Sequence, residues 1–485
     1  MIQFLTRFYK FKLIDSADQA HVDWKKRHIL LALLGFTLAA CTGIKQTESQ
    51  PVAPKTTASG NQPLTIWWEK GFNLEEDEAL QKLVDQWERQ SGHSVKLSFY
   101  TTDDLPQKAQ RALEAGKPPD ILMSHNAERS LYPRLGWQGK LVDVSDIIEP
   151  VKSMYPASTL EAVKFYNNLK QQRSYYAVPF SQSSNFIFYW RDLVEKAGYH
   201  DRDIPQDWNG FWNFWKQVQD KLQLQPQTRN IYGLGFSLSD KAGDTYFLFE
   251  QGLEAYDAQL LTPDGKLQAD DPTVRQRIIE CLKWYTQFYK TGYMLPDAVK
   301  WLNPDNNTSL LNREIVMTPN TSMTIPATVR KDPEVYRHKL VTRAFPNKLN
   351  GQPIRHILTI KQAVIFTDST NQAMAKAFLS YFIQPQVLGS YLKAAGIRNQ
   401  PVTRPTWQDP FWSNPNDPHI AVAVKVLSSG QTRPFPSVYH PAYSLVTQEN
   451  VWGKAINEIA VDEILPEQAA DKALTRIKQI FQQWQ

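Results

Sequence analysis

Between Leu64 and Met123 the chain reads strand, helix, strand, helix, strand, and this order restricts the fold more than any other feature. Leu64-Thr65-Ile66-Trp67-Trp68 is a buried-strand pattern, broken by Glu69-Lys70-Gly71. A helix is predicted from Glu75, with Leu80, Leu83, Val84 and Trp87 on one face and Gly92 as its stop. Val95, Leu97 and Phe99 alternate with polar residues and give a second strand. A second helix is predicted from about Asp104 to Ala115, stopping at Gly116, and Ile121-Leu122-Met123 is the third strand. Strands spaced by helices imply a parallel sheet with right-handed crossovers. Ligands of such sheets sit at the carboxyl ends of the strands. Glu69-Lys70 and Ser124-His125-Asn126 both fall there.

Upstream, Lys25-Lys26-Arg27-His28 precedes an apolar run from Ile29 to Ala40. Twelve helical residues rise roughly 18 Å, too short for a hydrocarbon core of about 30 Å. A basic flank, a short apolar core and small residues describe a secretory signal. Leu38-Ala39-Ala40-Cys41 resembles the lipobox of bacterial lipoproteins, which implies residues 1–40 as signal peptide and Cys41 as the lipidated residue. Two acyl chains anchor a protein stably where one is marginal. Met1 to Val22 is long for such a leader; it is an extension, or the start codon is placed too far upstream. After Cys41, the stretch to Pro63 is rich in Thr, Ser, Gln and Pro, cannot bury enough surface to offset its ordering entropy, and is expected to be a tether.

Six of the 54 Lys and Arg and three of the 49 Asp and Glu lie before Cys41, so the remainder carries only +2. With no long basic block, nucleic acid is a poor partner. Fifteen Trp and 20 Tyr favour a ligand with flat, amphipathic faces. Trp208, Trp212 and Trp215 are spaced as one helix face and are expected in the core, as is Cys281 in "RIIECLKWYTQFYK". No second His stands at metal spacing from His125, and no metal or cofactor is expected.

The order "LTIWWEKG", "ALQKLVDQWERQSGHSVKLSFY", "KAQRALEAGKPPDILMSHN" resembles the extracellular solute-binding proteins of ABC importers, in the group that includes the maltodextrin-binding protein. The resemblance continues through "YYAVPFSQSSNFIFYWRDLVEKAGYHDRDIPQDWNGFWNFW" and "LTIKQAVIFTDSTNQAMAKAFLSYFIQPQVLGSYLKAAGIRNQPV", and so over nearly all of residues 64 to 485. It implies an α/β fold of two lobes, the type II periplasmic-binding-protein fold, each lobe an α/β sandwich on a mostly parallel sheet with the ligand in the hinge cleft. Crossings are expected near Phe180, Leu358 and Val402, so that residues 64–180 and 359–402 build lobe 1 while 181–358 and 403–485 build lobe 2. Hinge closure around ligand is the expected motion.

The resemblance also assigns site residues. Glu69-Lys70-Gly71 matches an acidic–Lys–Gly turn that contacts sugar in the relative; a solvated turn is the alternative. Asp244-Thr245-Tyr246 matches an acid–x–Tyr unit that holds and stacks on sugar, although Tyr246 also opens the apolar run "TYFLFEQGL". Met323 stands where the relative has a stacking Trp, leaving Asn320, Thr321 and Ser322 to bond a smaller polyol. Arg398 and Asn399 lie beside the third crossing, and Tyr439 and Tyr443 where the relative has a late aromatic contact. From the residues themselves, His125 and Asn126 offer hydrogen bonds from the cleft floor, or a structural role. Ser183, within Ser181-Gln182-Ser183-Ser184-Asn185, bonds either ligand or the hinge.

Two classes of function follow. One is a binding lipoprotein of the cell envelope, a monomer that captures a saccharide or polyol and delivers it to ABC permease subunits. The other is a lipid-anchored glycosidase, which needs two carboxyls about 5–10 Å apart. No Gly-x-Ser-x-Gly, His-Glu-x-x-His or Walker-type loop is present, and the resemblance favours the binder.

Overall fold

The computed structural model describes residues 62–484; the signal segment, Cys41 and nearly all of the tether lie outside the described residues. The strands are β1 (Leu64–Glu69), β2 (Val95–Tyr100), β3 (Ile121–Met123), β4 (Lys164–Asn167), β5 (Gln172–Tyr175), β6 (Val178–Ser183), β7 (Phe186–Trp190), β8 (Tyr232–Leu234), β9 (Ile315–Asn320), β10 (Leu340–Arg343), β11 (His356–Ile357), β12 (Thr359–Ile365), β13 (Gln400–Pro401) and β14 (Thr432–Arg433). Lobe 1 is a six-stranded sheet in the order β13-β6-β12-β3-β1-β2, and lobe 2 a four-stranded sheet in the order β10-β7-β9-β8.

The opening alternation forms as read. Helices α1 (Leu74–Ser91) and α2 (Asp104–Glu114) separate β1, β2 and β3, which pair in parallel. At the start of α1, Glu76 accepts from the Asn73 amide at 3.4 Å, closing a capping box. At its end Gly92 takes φ 72, a left-handed cap that glycine adopts without a Cβ clash.

The sheets are not mostly parallel. In the two larger ones, three of eight strand pairs are parallel and five antiparallel. The cause is the crossing geometry. A strand that enters a sheet from the other lobe starts at its hinge end, so β12 in lobe 1 and β7 in lobe 2 run against their neighbours. Between Ser183 and Phe186 the chain passes directly from the first sheet to the second.

The tryptophan-rich helix α4 (Trp208–Gln223) buries Trp208, Trp212 and Trp215 in lobe 2. The first two meet Trp284 of the helix α6 (Pro272–Lys290), at 4.9 Å from Trp208 and 5.0 Å from Trp212. The intervening helix α5 (Gly243–Ala255) packs on α6 through Gly252, where a Cβ would come within 2.9 Å of the Cys281 Sγ. Cys281 is buried there, and burial pushes its thiol well up, which makes it unreactive. In lobe 1, Trp68, Phe180 and Phe382 form a three-ring cluster, with centroids 5.1, 5.7 and 5.0 Å apart. Phe382 belongs to α7 (Gln372–Phe382), which follows β12. Among the described residues no helix is long and apolar enough to cross a membrane.

Candidate functional site

Glu69 closes β1, and His125 begins the turn from β3 into a single helical turn, α3 (Ala127–Ser130). The buried Glu69 carboxyl accepts from the His125 amide at 2.7 Å, so the end of β1 fixes the turn after β3. Lys70 is exposed beside it, its amide donating to the Tyr100 carbonyl. One turn along, Arg129 is buried and gathers this corner. It donates to Asn126 Oδ1 at 3.1 Å, to Glu128 Oε1 at 3.3 Å and to His125 Nε2 at 3.2 Å. Arginine only donates, so Nε2 of His125 accepts and the ring proton sits on Nδ1. Burial holds this His far below its ordinary value, aided by the charge of Arg129, and the ring stays neutral.

Lobe 2 meets this corner with the start of α5. The Arg129 guanidinium lies 4.1 Å over the Phe247 ring, and His125 stacks on the same ring at 6.3 Å. Asp244, at the first turn of α5, has its amide held by Asn303 Oδ1 at 3.1 Å. Tyr246 is buried against Phe435 at 5.5 Å and its hydroxyl accepts from Thr447. A cavity of about 290 Å³ opens here between the lobes, lined by Gln107, Asn126 and Arg129 on one side and Tyr246, Phe247 and Asn450 on the other.

The turn after β9 and the segment before β13 complete the wall. Asn320 is spent on its own turn, its side chain accepting from the Thr321 amide and donating to the Ser322 carbonyl. Ser322 and Thr324 share a hydrogen bond of 2.7 Å. Arg398 donates to Thr324 Oγ1 at 3.2 Å and to both oxygens of Glu76 at 3.1 and 3.3 Å, so it ties the lobes together. Met323 is buried, with its amide on the Arg398 carbonyl.

Burial lifts the Asp244 carboxyl from its ordinary 3.8 to about 7, while Arg129, the Thr321 side chain and Arg398 pull it down. Between those values the unfolded chain has lost a proton that the folded chain keeps. This group therefore makes stability fall as pH rises from about 4 to about 7, and level off above. Asp244→Asn is expected to flatten that decline in ligand-free melts. Equal slopes in parent and variant would contradict it.

Thus Glu69, His125, Asn126, Asp244, Tyr246 and Arg398 converge, with Lys70 and Ser322 at the margin. Three expected site residues do otherwise: Asn320, spent on its own turn, Ser183 and Tyr439. Ser183 donates to the Thr321 carbonyl at 2.6 Å, and its neighbours Gln182, Ser184 and Asn185 donate to the carbonyls of Pro401, Ile357 and Phe247. The polar run stitches the crossing strands together. Tyr439 follows the tight turn Pro436–Val438 and lines a separate cavity of about 240 Å³, among Arg277, Arg355 and Arg433. Sequence reasoning missed Arg129, Lys361, Glu76 and Phe247. The available signals were the i,i+4 spacing of His125 and Arg129, and a Lys-Gln pair inside the apolar strand "LTIKQAVIF".

A family profile described as bacterial extracellular solute-binding protein matches residues 82–421, well over half of the chain. The chain belongs to that family. Among the relatives of this solute-binding protein, the multiple sugar-binding protein of Streptococcus mutans is 20% identical over 393 residues, 77% of this chain and 82% of the relative. Two solved structures share its fold. A solute-binding protein of Thermotoga lettingae bound with alpha-D-tagatose is 19% identical, with a TM-score of 0.70 over 86% of this chain and 99% of its own. Maltose-bound MalE3 of T. maritima is 18% identical, with a TM-score of 0.68 over the same shares. The two-lobed type II fold is therefore that of this solute-binding protein.

Proposed function

We propose that this solute-binding protein captures a saccharide or related polyol between its lobes and hands it intact to the permease of an ABC importer, acting as a monomer without catalysis. The observation that carries the reading is the interlobe corner itself. Hydroxyl-bonding groups (Glu69, Asn126, Arg129, Asp244, Arg398) and aromatic faces (Tyr246, Phe247) arrive from both sheets at one place. A sugar offers the matching surface, with hydroxyls around its edge and an apolar ring face. The sugar-binding relative of Streptococcus mutans and the tagatose- and maltose-bound structures support the same class.

A thermal-shift panel of mono-, di- and oligosaccharides and polyols tests it. At least one sugar is expected to raise the melting temperature and to be recovered unchanged. Release of new reducing ends would sink the binder in favour of a glycosidase. With that sugar, Glu69→Ala and Asp244→Ala are each expected to weaken binding by about 1–3 kcal/mol, because buried polar partners are left unpaired. Unchanged affinity in both would remove these residues from the site.

Lipid anchoring at Cys41 belongs to the same reading, since it would hold the binder at the envelope beside its permease. Radiolabelled palmitate is expected on the parent chain and not on Cys41→Ser. Equal labelling of both would refute the anchor.

A further inference from the structure

Lys361 interrupts the apolar strand β12, in the interior of the lobe 1 sheet. Its side chain is 9% exposed, and the nearest acidic atom, Glu76 Oε2, is 3.7 Å away. That is an ion pair outside hydrogen-bonding distance. Glu76 does not need it: Oε1 accepts from the amides of Phe72 and Asn73, and both oxygens accept from Arg398. Its ammonium donates no hydrogen bond to a described residue, and an ammonium so little exposed is costly unless something pairs with it.

Two buried atoms at the same corner are without partners among the described residues: Nδ1 of His125 and Oε2 of Glu128. The Nδ1 proton has only Glu128 Oε1 nearby, at 3.6 Å. The strand register brings the lysine to them. Ala363 pairs with Met123, the last residue of β3, so Lys361 lies beyond that strand's end, at the level of the turn carrying His125. Its charge acts on His125, Glu128 and Glu76.

We propose that Lys361, His125 and Glu128 form a polar subsite in the floor of lobe 1 that holds a vicinal diol of the bound saccharide. This rests on the saccharide reading above and adds a residue that reaches the sugar from the sheet beneath it. Two neighbouring hydroxyls offer two donors and up to four acceptor positions. They satisfy the lysine and the imidazole N–H, and they satisfy Glu128 in either protonation state, since they both accept and donate.

Lys361→Met keeps an unbranched side chain, one atom shorter, and removes the charge. The test compares parent and variant by ligand-free melting and by titration with maltose, lactose and D-tagatose. The ligand-free variant is expected to melt at or above the parent temperature, because Glu76 keeps Arg398 and no charge is left uncompensated. Whichever of the three sugars binds the parent is expected to bind the variant roughly tenfold more weakly or worse. A lower ligand-free melting temperature means that the lysine serves the fold, and overturns the proposal. Unchanged sugar affinity means that only water fills the subsite, and overturns it too. If no sugar binds the parent, the saccharide reading fails, and with it the diol; the melting comparison still shows whether the lysine serves the fold.

Discussion

Trp212→Ala is expected to lower the stability of lobe 2 by about 3–5 kcal/mol, the range for removing a large buried aromatic. The residue is 1% exposed and stands at the centre of a ring cluster. Its neighbours are Trp284 at 5.0 Å, Phe211 at 5.2 Å, Trp208 at 5.6 Å and Phe288 at 6.1 Å. Truncation leaves a cavity walled by rigid rings from two helices, which cannot collapse into it as a flexible aliphatic core would. The indole N–H meets no oxygen or nitrogen acceptor among the described residues, so its loss removes no hydrogen bond. Trp212→Phe should therefore cost much less than Trp212→Ala. A urea titration followed by tryptophan fluorescence would measure both. Equal losses for Phe and Ala would show that packing volume is not what the residue supplies.

The second large effect lies in lobe 1. Asp120 is buried and accepts four hydrogen bonds: from the Thr65 amide at 2.7 Å, Thr65 Oγ1 at 2.8 Å, Ser369 Oγ at 2.6 Å and Asn371 Nδ2 at 3.2 Å. It thereby fastens β1 to the approach of β3 and to the loop after β12. Asp120→Ala leaves an amide of β1 and two hydroxyls without their acceptor, and is expected to cost about 3 kcal/mol. Asp120→Asn can still present an oxygen to Thr65 while Ser369 reverses its role from donor to acceptor. It should cost about half as much. Amide exchange at Thr65 gives a local readout, and protection retained in the alanine variant would mean that the carboxyl is not what closes this corner.

What the sequence discloses is local. The strands and helices from Leu64 to Met123 follow from the spacing of Leu80, Leu83, Val84 and Trp87 and from the stops at Gly92 and Gly116. Glu69, His125 and Asn126 were reachable by the rule that ligands gather at strand ends. The antiparallel entries of β7 and β12 were not, because strand direction is set by which end of the sheet the chain comes in from. Arg398 was found through likeness, yet its partner Glu76 is 322 residues away and no local pattern links them. Lys361 was passed over for the same reason: within its own segment it is a flaw in an apolar strand, and only the fold shows what surrounds it. Tyr439 was misplaced because aromatic type and approximate position do not say which side of α5 a turn will present.

The sheet order of lobe 1 has a consequence for how such a chain is made. β12 lies between β6 and β3, so the centre of the first lobe is supplied by residues 359–365, with everything from 124 to 358 synthesised in between. β3 and β6 each lack a neighbour until β12 is made, when the chain is about three-quarters emerged, and long-range pairing of this kind is slow. Lobe 1 is therefore expected to close only after β12 has been made, and to fold late relative to its own first strands.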